Sequence, residues 1–232
     1  MTPPVAAGFV SFTEIPAHAH RAYNVWHQLD HLPEQFAIPG ILFGQRWVAT
    51  PACLAASTGS DAELARSQYV TLYLMGEPLG PTITEFQQLA VELRRLDRWF
   101  DDRTAPRFGA LPLGGWLTGN GVPVRPEVLP WRASPGVYAV VADGDDGRAT
   151  AEALTAVPGV AGAWWFTTSP EVTHRTWVPG PWTLTVAWLD EDPASLAPAL
   201  AGALPDEVRL ASAYERIEPY RWDWFTGSSA VM

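Results

Sequence analysis

The sequence predicts an α+β fold in which two ferredoxin-like βαββαβ units follow one another in one chain. Three observations carry that reading: an internal repeat, the order of apolar patterns around each copy, and a proline-rich stretch between them. The repeat aligns residues 37–51 (AIPGILFGQRWVATP) with residues 156–170 (AVPGVAGAWWFTTSP) without a gap. Ala, Pro, Gly and the closing Pro are identical, and Ile38/Val157, Ile41/Val160 and Trp47/Phe166 keep their character. Each copy reads as a helix end, a Pro-Gly turn and a strand that stops at proline.

In the first copy, residues 8–15 are expected as a strand and 17–32 as a helix. Strands follow at 41–49 and 69–75, with 57–67 between them as a surface excursion. A helix is expected over 82–102, with Thr82 as N-cap and Glu85 three residues on, the spacing of a capping box. The fourth strand falls at 108–117, where Gly and Pro weaken the pattern. In the second copy the order is strand 137–143, helix 148–156, strands 160–168 and 183–189, helix 193–204 and strand 208–217. That is βαββαβ again. The units are therefore 1–121 and 136–232, and the proline-rich residues 122–135 link them. Each antiparallel sheet has helices on one face and a bare apolar face on the other. Packing the bare faces against each other buries both.

Composition narrows the function classes. The chain has 232 residues, 47% hydrophobic and 17% charged, an ordinary globular balance. No apolar run approaches the roughly 18–20 residues that span a bilayer. The opening MTPPVAAGFV lacks the basic segment and apolar stretch of a secretory signal, so a soluble, cytoplasmic protein without a membrane partner is expected. The formal net charge is −10, and all fifteen basic residues are arginine. Without lysine there is neither a lysine Schiff base nor a P-loop. An acidic chain with no basic stripe is not expected to bind nucleic acid. Cys53 is the single cysteine, which excludes an internal disulfide, a thiolate zinc site and an iron–sulfur cluster. It lies in PACLAA with no adjacent base, which argues against a nucleophile. Twelve tryptophans suit both a large core and an aromatic-lined cavity. The composition, rich in Ala, Pro, Arg and Trp, points to a GC-rich bacterial source.

The two halves differ in their polar equipment. Four of the five histidines (His18, His20, His27 and His31) fall within the first predicted helix, whose counterpart at 148–156 has neither histidine nor aromatic residue. Tyr23, His27 and His31 are spaced i, i+4, i+8 and form one stripe. Such a stripe facing a cavity offers acid–base groups near neutral pH without a cofactor. Glu34 would extend it, but Pro33 intervenes. The alternative is that both histidines are ordinary helix or core residues. A metal would need a third ligand from Glu34, Glu14 or His174, and the glutamate of an HExxH helix is missing; no metal is expected. His18 and His20 are expected to face solvent. Arg46, aligned with Trp165 of the second copy, is either an anchor for a ligand carboxylate, phenolate or enolate, or a salt-bridge partner.

The run Trp26-His27-Gln28-Leu29-Asp30-His31-Leu32-Pro33-Glu34, followed by Ile38-Pro39-Gly40 and Arg46-Trp47, resembles the EthD-like branch of the dimeric α/β-barrel superfamily. The strand YVTLYL at 69–74 is similar to that branch's third strand, and the likeness covers roughly residues 8–100. The resemblance implies a pocket between sheet and helices, with the two sheets forming a barrel-like unit inside one chain. It implies a small-molecule protein, often cofactor-free, of secondary metabolism or aromatic catabolism. The expected catalytic residues are His27, His31 and Tyr23, and the expected substrate contacts are Arg46, Trp26, Trp47, Glu34 and Tyr73. The expected ligand is an aromatic, polyketide-like or otherwise apolar metabolite. The expected reaction is isomerisation, cyclisation, dehydration or oxygenation with no cofactor. The other readings are a non-catalytic carrier of an apolar metabolite and a haem binder using His27 or His31. The expected assembly is a monomer with an internal pseudo-dimer, or a homodimer. The aromatic tail at 220–225 covers a pocket mouth or forms an interface.

Overall fold

In the first strand, Val10 and Phe12 alternate with Phe9, Ser11 and Thr13, and that alternation separates an inner from an outer face. In the computed structural model, which describes residues 5–144, 146–169, 181–205, 207–218 and 220–225, it continues around eight strands. They are β1 (Val5–Glu14), β2 (Ile41–Val48), β3 (Tyr69–Gly76), β4 (Thr104–Thr118), β5 (Gly136–Asp143), β6 (Val160–Thr167), β7 (Trp182–Leu189) and β8 (Leu210–Arg216). All pairs are antiparallel, and the strands close a barrel in the order β1-β3-β2-β8-β5-β7-β6-β4. The first four strands are thus contiguous as β4-β1-β3-β2, and the last four as β8-β5-β7-β6.

Instead of two sheets merely facing each other, the two sets are joined edge to edge. One seam pairs Trp47 with Arg216 and Val48 with Glu215. The other is longer and runs from Leu113↔Phe166 to Thr118↔Gly162. β4 makes this seam possible: its first part pairs with β1 and its last part with β6. The weak Gly/Pro pattern hid a strand of 15 residues.

The aligned sequence segments behave alike. Positions 37 and 156 differ by 119, and so do the bounds of β2 and β6. Ile41 N–H donates to Ile38 O at 3.0 Å and Val160 N–H to Val157 O at 3.3 Å. Gly40 O accepts from Gly76 N–H as Gly159 O does from Asp190 N–H. A register shift follows the first residue of each strand, between Ile41 and Phe43 and between Val160 and Gly162.

The barrel interior is packed. Val10, Phe12, Trp47, Val70, Leu72 and Leu74 meet Trp164, Phe166 and Trp188 of the other half. The packing is tight: a Cβ on Gly8 of β1 would lie 2.7 Å from the Phe166 ring of β6.

Helices cover the outside. α5 (Gly147–Thr155) and α6 (Pro193–Gly202) present Ala151, Leu154, Ala197 and Leu200, all fully buried, and these small or slender faces lie directly on the sheet. The first half carries longer helices. α1 (His20–Trp26) passes through a π-helical turn (His27–His31) into α2 (Leu32–Gln35), and α3 (Pro51–Ala55) is a short surface helix. The wide turn accommodates Pro33, whose ring would collide with the carbonyl four residues earlier in a regular helix, so the helical run passes the expected stop at 32.

α4 (Leu79–Arg95) starts before Thr82 and ends well short of 102. Thr82 is not the cap: Glu77 accepts from Leu79 N–H at 2.9 Å, and the Thr82 hydroxyl donates back to Pro78 O at 3.0 Å. Asp97, at φ +57, ends the helix in a Schellman motif, with Arg98 N–H on Leu93 O and Asp97 N–H on Arg94 O. Residues 57–67 are more than an excursion, because Thr58 bridges Ala211 at the start of β8. The proline-rich stretch at 122–135 contains a 3-10 helix, Pro126–Trp131, whose Leu129 is buried in the core. No helix among the described residues is long and apolar enough to cross a membrane.

Candidate active site

A cavity of about 380 Å³ lies outside the barrel, between the outer faces of β1, β3 and β4 and the helical pair formed by the 20–35 run and α4. Its wall is built by register. Phe9 stands opposite Tyr73 and Ala110, and one step along Ser11 stands opposite Thr71 and Phe108. α4 contributes Ile83, Phe86, Gln87, Ala90, Val91 and Arg94, and the segment after it adds Trp99 and Arg103.

The remaining wall is the stripe Tyr23, His27, His31 and Gln35. In a regular α-helix each i, i+4 step drifts by about 40°, so a fourth member would have turned away. The extra residue in the π turn cancels the drift and brings Gln35, rather than Glu34, onto the wall.

His31 is held between two indoles. Trp26 stacks on it at 4.5 Å and 19°, and Trp99 meets it edge-on at 5.3 Å and 89°. The His27 and His31 rings lie 5.0 Å apart. Both rings are buried, and their Nδ1 atoms have no hydrogen-bond partner among the described residues. Burial pushes the His31 pKa down to about 3, with Arg103 adding to the effect and Asp30 opposing it. Burial, then Arg46, His31 and Arg103, hold His27 well below the ordinary histidine value. Both imidazoles are therefore neutral at pH 7. Tyr73 Oη and Thr71 Oγ1 are also buried without a partner among the described residues, and burial raises the Tyr73 pKa.

The other expected contacts lie elsewhere. Arg46 is 2% exposed and sits behind the wall, over the rings of Tyr23 (4.9 Å) and Tyr69 (5.2 Å). Its Nη2 donates to Asn24 Oδ1, and it has no carboxylate partner among the described residues, so neither the direct-contact nor the salt-bridge expectation describes it. Asn24 donates in turn to Tyr69 Oη at 2.9 Å, and Tyr69 Oη and His20 Nδ1 share a hydrogen bond at 2.9 Å. His20 is thus buried rather than solvent-facing, with its pKa lowered to about 4 by burial. His18 is exposed and bonds Asp102. Trp47 points into the barrel core, because it alternates with Arg46 along β2. Glu34 pairs with Arg98, which also holds Asp30. Trp26 backs His31 and donates its Nε1–H to Arg98 O at 2.9 Å. Tyr73 alone of the expected contacts lines the cavity.

None of residues 220–225 lines this cavity, and Tyr220 is exposed. Trp222 and Phe225 join Ile15, Ala19, Tyr23 and Tyr69, with Phe225 stacked on His20 at 4.2 Å. Cys53 is fully buried and its pKa is raised to about 11, first by burial, which leaves it a thiol at neutral pH. Sequence reasoning missed Trp99, Arg103, Arg94 and Gln35. The signal for the arginines was present, since positions 94, 95, 98 and 103 put four of them within ten residues of an acidic chain.

Among the described residues no three His, Cys, Asp or Glu side chains gather closely enough to hold a metal ion; His174 lies outside the described residues. A haem held through His27 or His31 would need an acceptor behind the distal ring nitrogen to orient the imidazole. Neither Nδ1 has a protein acceptor of that kind among the described residues.

No family model and no curated protein matches the sequence. Solved structures match its shape. An anthrone oxidase-like protein superposes with a TM-score of 0.50 at 11% identity, covering 92% of each chain. The fold is that of the dimeric α/β barrels. A protein described as a candidate chlorite dismutase matches at 0.51 and 7% identity, covering 95% of this chain and 98% of its own. A candidate monooxygenase from Fusobacterium nucleatum subsp. nucleatum matches at 0.51 and 9% identity, covering 93% and 94%. At such identities the likeness is one of fold.

Proposed function

We propose that this chain is a cofactor-independent enzyme that moves a proton on an aromatic or polyketide-like metabolite. The observation that carries the reading is the pair of buried imidazoles, their Nδ1 atoms unpartnered among the described residues, on one aromatic-walled cavity with arginines close by. In the reaction, His27 or His31 accepts a proton from a C–H next to a carbonyl, and the electron pair moves onto the carbonyl oxygen. The resulting enolate is stabilised by the guanidinium field, and Tyr23 and Tyr73 offer hydroxyl donors. Return of the proton to another atom of the same skeleton completes an isomerisation. The low basicity of the free imidazoles keeps them in base form, and the anion formed beside them restores their affinity for the proton.

Related proposals follow from the fold. The equivalent hydrogen bonds and register shifts support two copies of one ferredoxin-like unit, 1–121 and 136–232, sharing one barrel. The motif over 26–47 supports kinship with the EthD-like branch.

Anthrone is a suitable probe, because its methylene is acidic through the conjugated carbonyl and one structural neighbour is anthrone oxidase-like. The protein is expected to accelerate deuterium exchange at that methylene. His27→Ala and His31→Ala are each expected to lower the rate by about 10²-fold while leaving the fold intact. Exchange unchanged in both variants would sink the proposal. A second reading, a carrier for the same kind of molecule, is favoured by the lowered imidazole basicity; it requires ligand affinity to survive both substitutions with no exchange catalysed.

A further inference from the structure

The cavity is polarised along its length. At one end Phe9, Met75, Ala110, Ile83 and Phe86 make an apolar cup. Moving along the strands, Ser11 and Thr13 follow Phe9, and Thr71 follows Met75 and Tyr73. Along α4 the change is from Ile83 to Arg94, eleven residues or about 16 Å at the helical rise. Arg94 lies over the Trp99 ring at 3.8 Å, and Arg103 lies over the same ring at 4.9 Å.

The charges around this end are unbalanced. Among the described residues the cavity lining contains two arginines and no Asp or Glu, in a chain whose net charge is −10. Elsewhere in the same half, Arg66, Arg95, Arg98 and Arg107 each hold a carboxylate. Among the described residues of this half, Arg94, Arg103, Arg46 and the exposed Arg21 are in no ion pair; Arg94 is itself exposed and its Nη1 donates to Ala90 O at 3.3 Å. Asp101 is near enough to Arg103 to favour its charge but does not pair with it. Burial destabilises the Arg103 cation, so the half-buried side chain lies beside the cavity with no carboxylate in direct contact among the described residues. A surplus of acid elsewhere has not been used to neutralise it.

We infer that the cavity takes a flat apolar molecule bearing one negative charge, its rings in the Phe9–Phe86 cup and its anionic group between Arg103 and Arg94. The inference rests on the reading of this cavity as a ligand pocket. The two guanidinium groups, both held over Trp99, present N–H donors with part of their rotamer entropy already lost, which suits a planar carboxylate or phenolate. His27 and His31 line the same cavity with their Nδ1 atoms unpartnered among the described residues, which leaves them able to hydrogen-bond the ligand.

Calorimetric titration of the purified protein with 2-naphthoate and with its uncharged analogue 2-naphthamide tests the assignment. Naphthoate is expected to bind at least about tenfold more tightly than the amide. In the Arg94→Gln/Arg103→Gln double variant that ratio should fall to near one, with the amide's affinity retained as the control for an intact pocket. Equal affinities in the parent protein overturn the anion preference, and a ratio that survives the double substitution overturns its assignment to these arginines. A parallel pair, 4-nitrophenolate and 4-nitroanisole at alkaline pH, separates the acids: a preference in the first pair alone assigns a carboxylate, and in the second alone a phenolate. If no probe binds while anthrone exchange is catalysed, the anion proposal fails and the pocket stands. If neither binding nor exchange is seen, the pocket reading fails with it.

Discussion

Lowering the pH from about 7 to 5 is expected to destabilise this protein through His27 and His31, before its carboxylates dominate. In the unfolded chain both rings titrate near 6.5, whereas in the folded protein His31 titrates at about 3 and His27 well below its ordinary value. Between those values the unfolded state binds more protons, so stability falls as pH drops below 6.5 and is flat above it. Over this interval His31 contributes a loss of about 2 kcal/mol, from about 1.4 kcal/mol per pH unit once the unfolded ring is protonated, and His27 adds a loss of the same sign. Solvent reaching an open cavity screens part of the charge, so we expect at most about 3 kcal/mol for the two rings together. For a chain of this size that is about 8 °C in melting temperature. The assay is a pair of thermal melts for the parent and for His27→Gln/His31→Gln. His20 and the carboxylates are common to both, so the excess loss in the parent isolates the two rings. Equal losses in parent and variant would refute the argument that these imidazoles are held neutral.

Two further outcomes are expected. Replacing Arg46 with Gln keeps a donor for Asn24 but removes a positive charge that disfavours imidazolium at both rings. The histidine titrations read by proton NMR should move upward, and unmoved titrations would contradict the electrostatic coupling. Gly40→Ala places a Cβ 1.9 Å from Thr82 Oγ1 and 2.7 Å from Thr82 Cβ, so the Pro-Gly turn and α4 must part. Urea unfolding should show a loss of about 1–3 kcal/mol, the usual cost of overpacking, and a neutral effect would mean that this contact is slack.

Parts of the fold were legible because they depend on local pattern. The strand read at 41–49 is β2 (Ile41–Val48), and the strand read at 160–168 is β6 (Val160–Thr167), since alternation ended by proline is a local signal. The helix ends were less legible. α4 stops at Arg95 because Asp97 adopts a left-handed conformation, which residue type alone does not demand. Thr82 has a capping residue's chemistry but lies inside the helix, since Glu77 and Pro78 start it earlier.

The sequence by itself determined which half carries polar groups: a histidine stripe on one helix, small apolar residues on its counterpart, and arginines without any lysine. Periodicity was enough to put Tyr23, His27 and His31 on one side. Only the tertiary structure decided what that side faces. Closure of one barrel sends Trp47 inward and Arg46 behind the wall, because adjacent strand residues must take opposite faces. The π turn selects Gln35 over Glu34, and the packing of α4 across β1 and β3 brings Trp99 and Arg103, some seventy residues away in sequence, to His31. Lowered imidazole pKa values follow from that burial and from those distant charges, and a cavity has no sequence signature of its own.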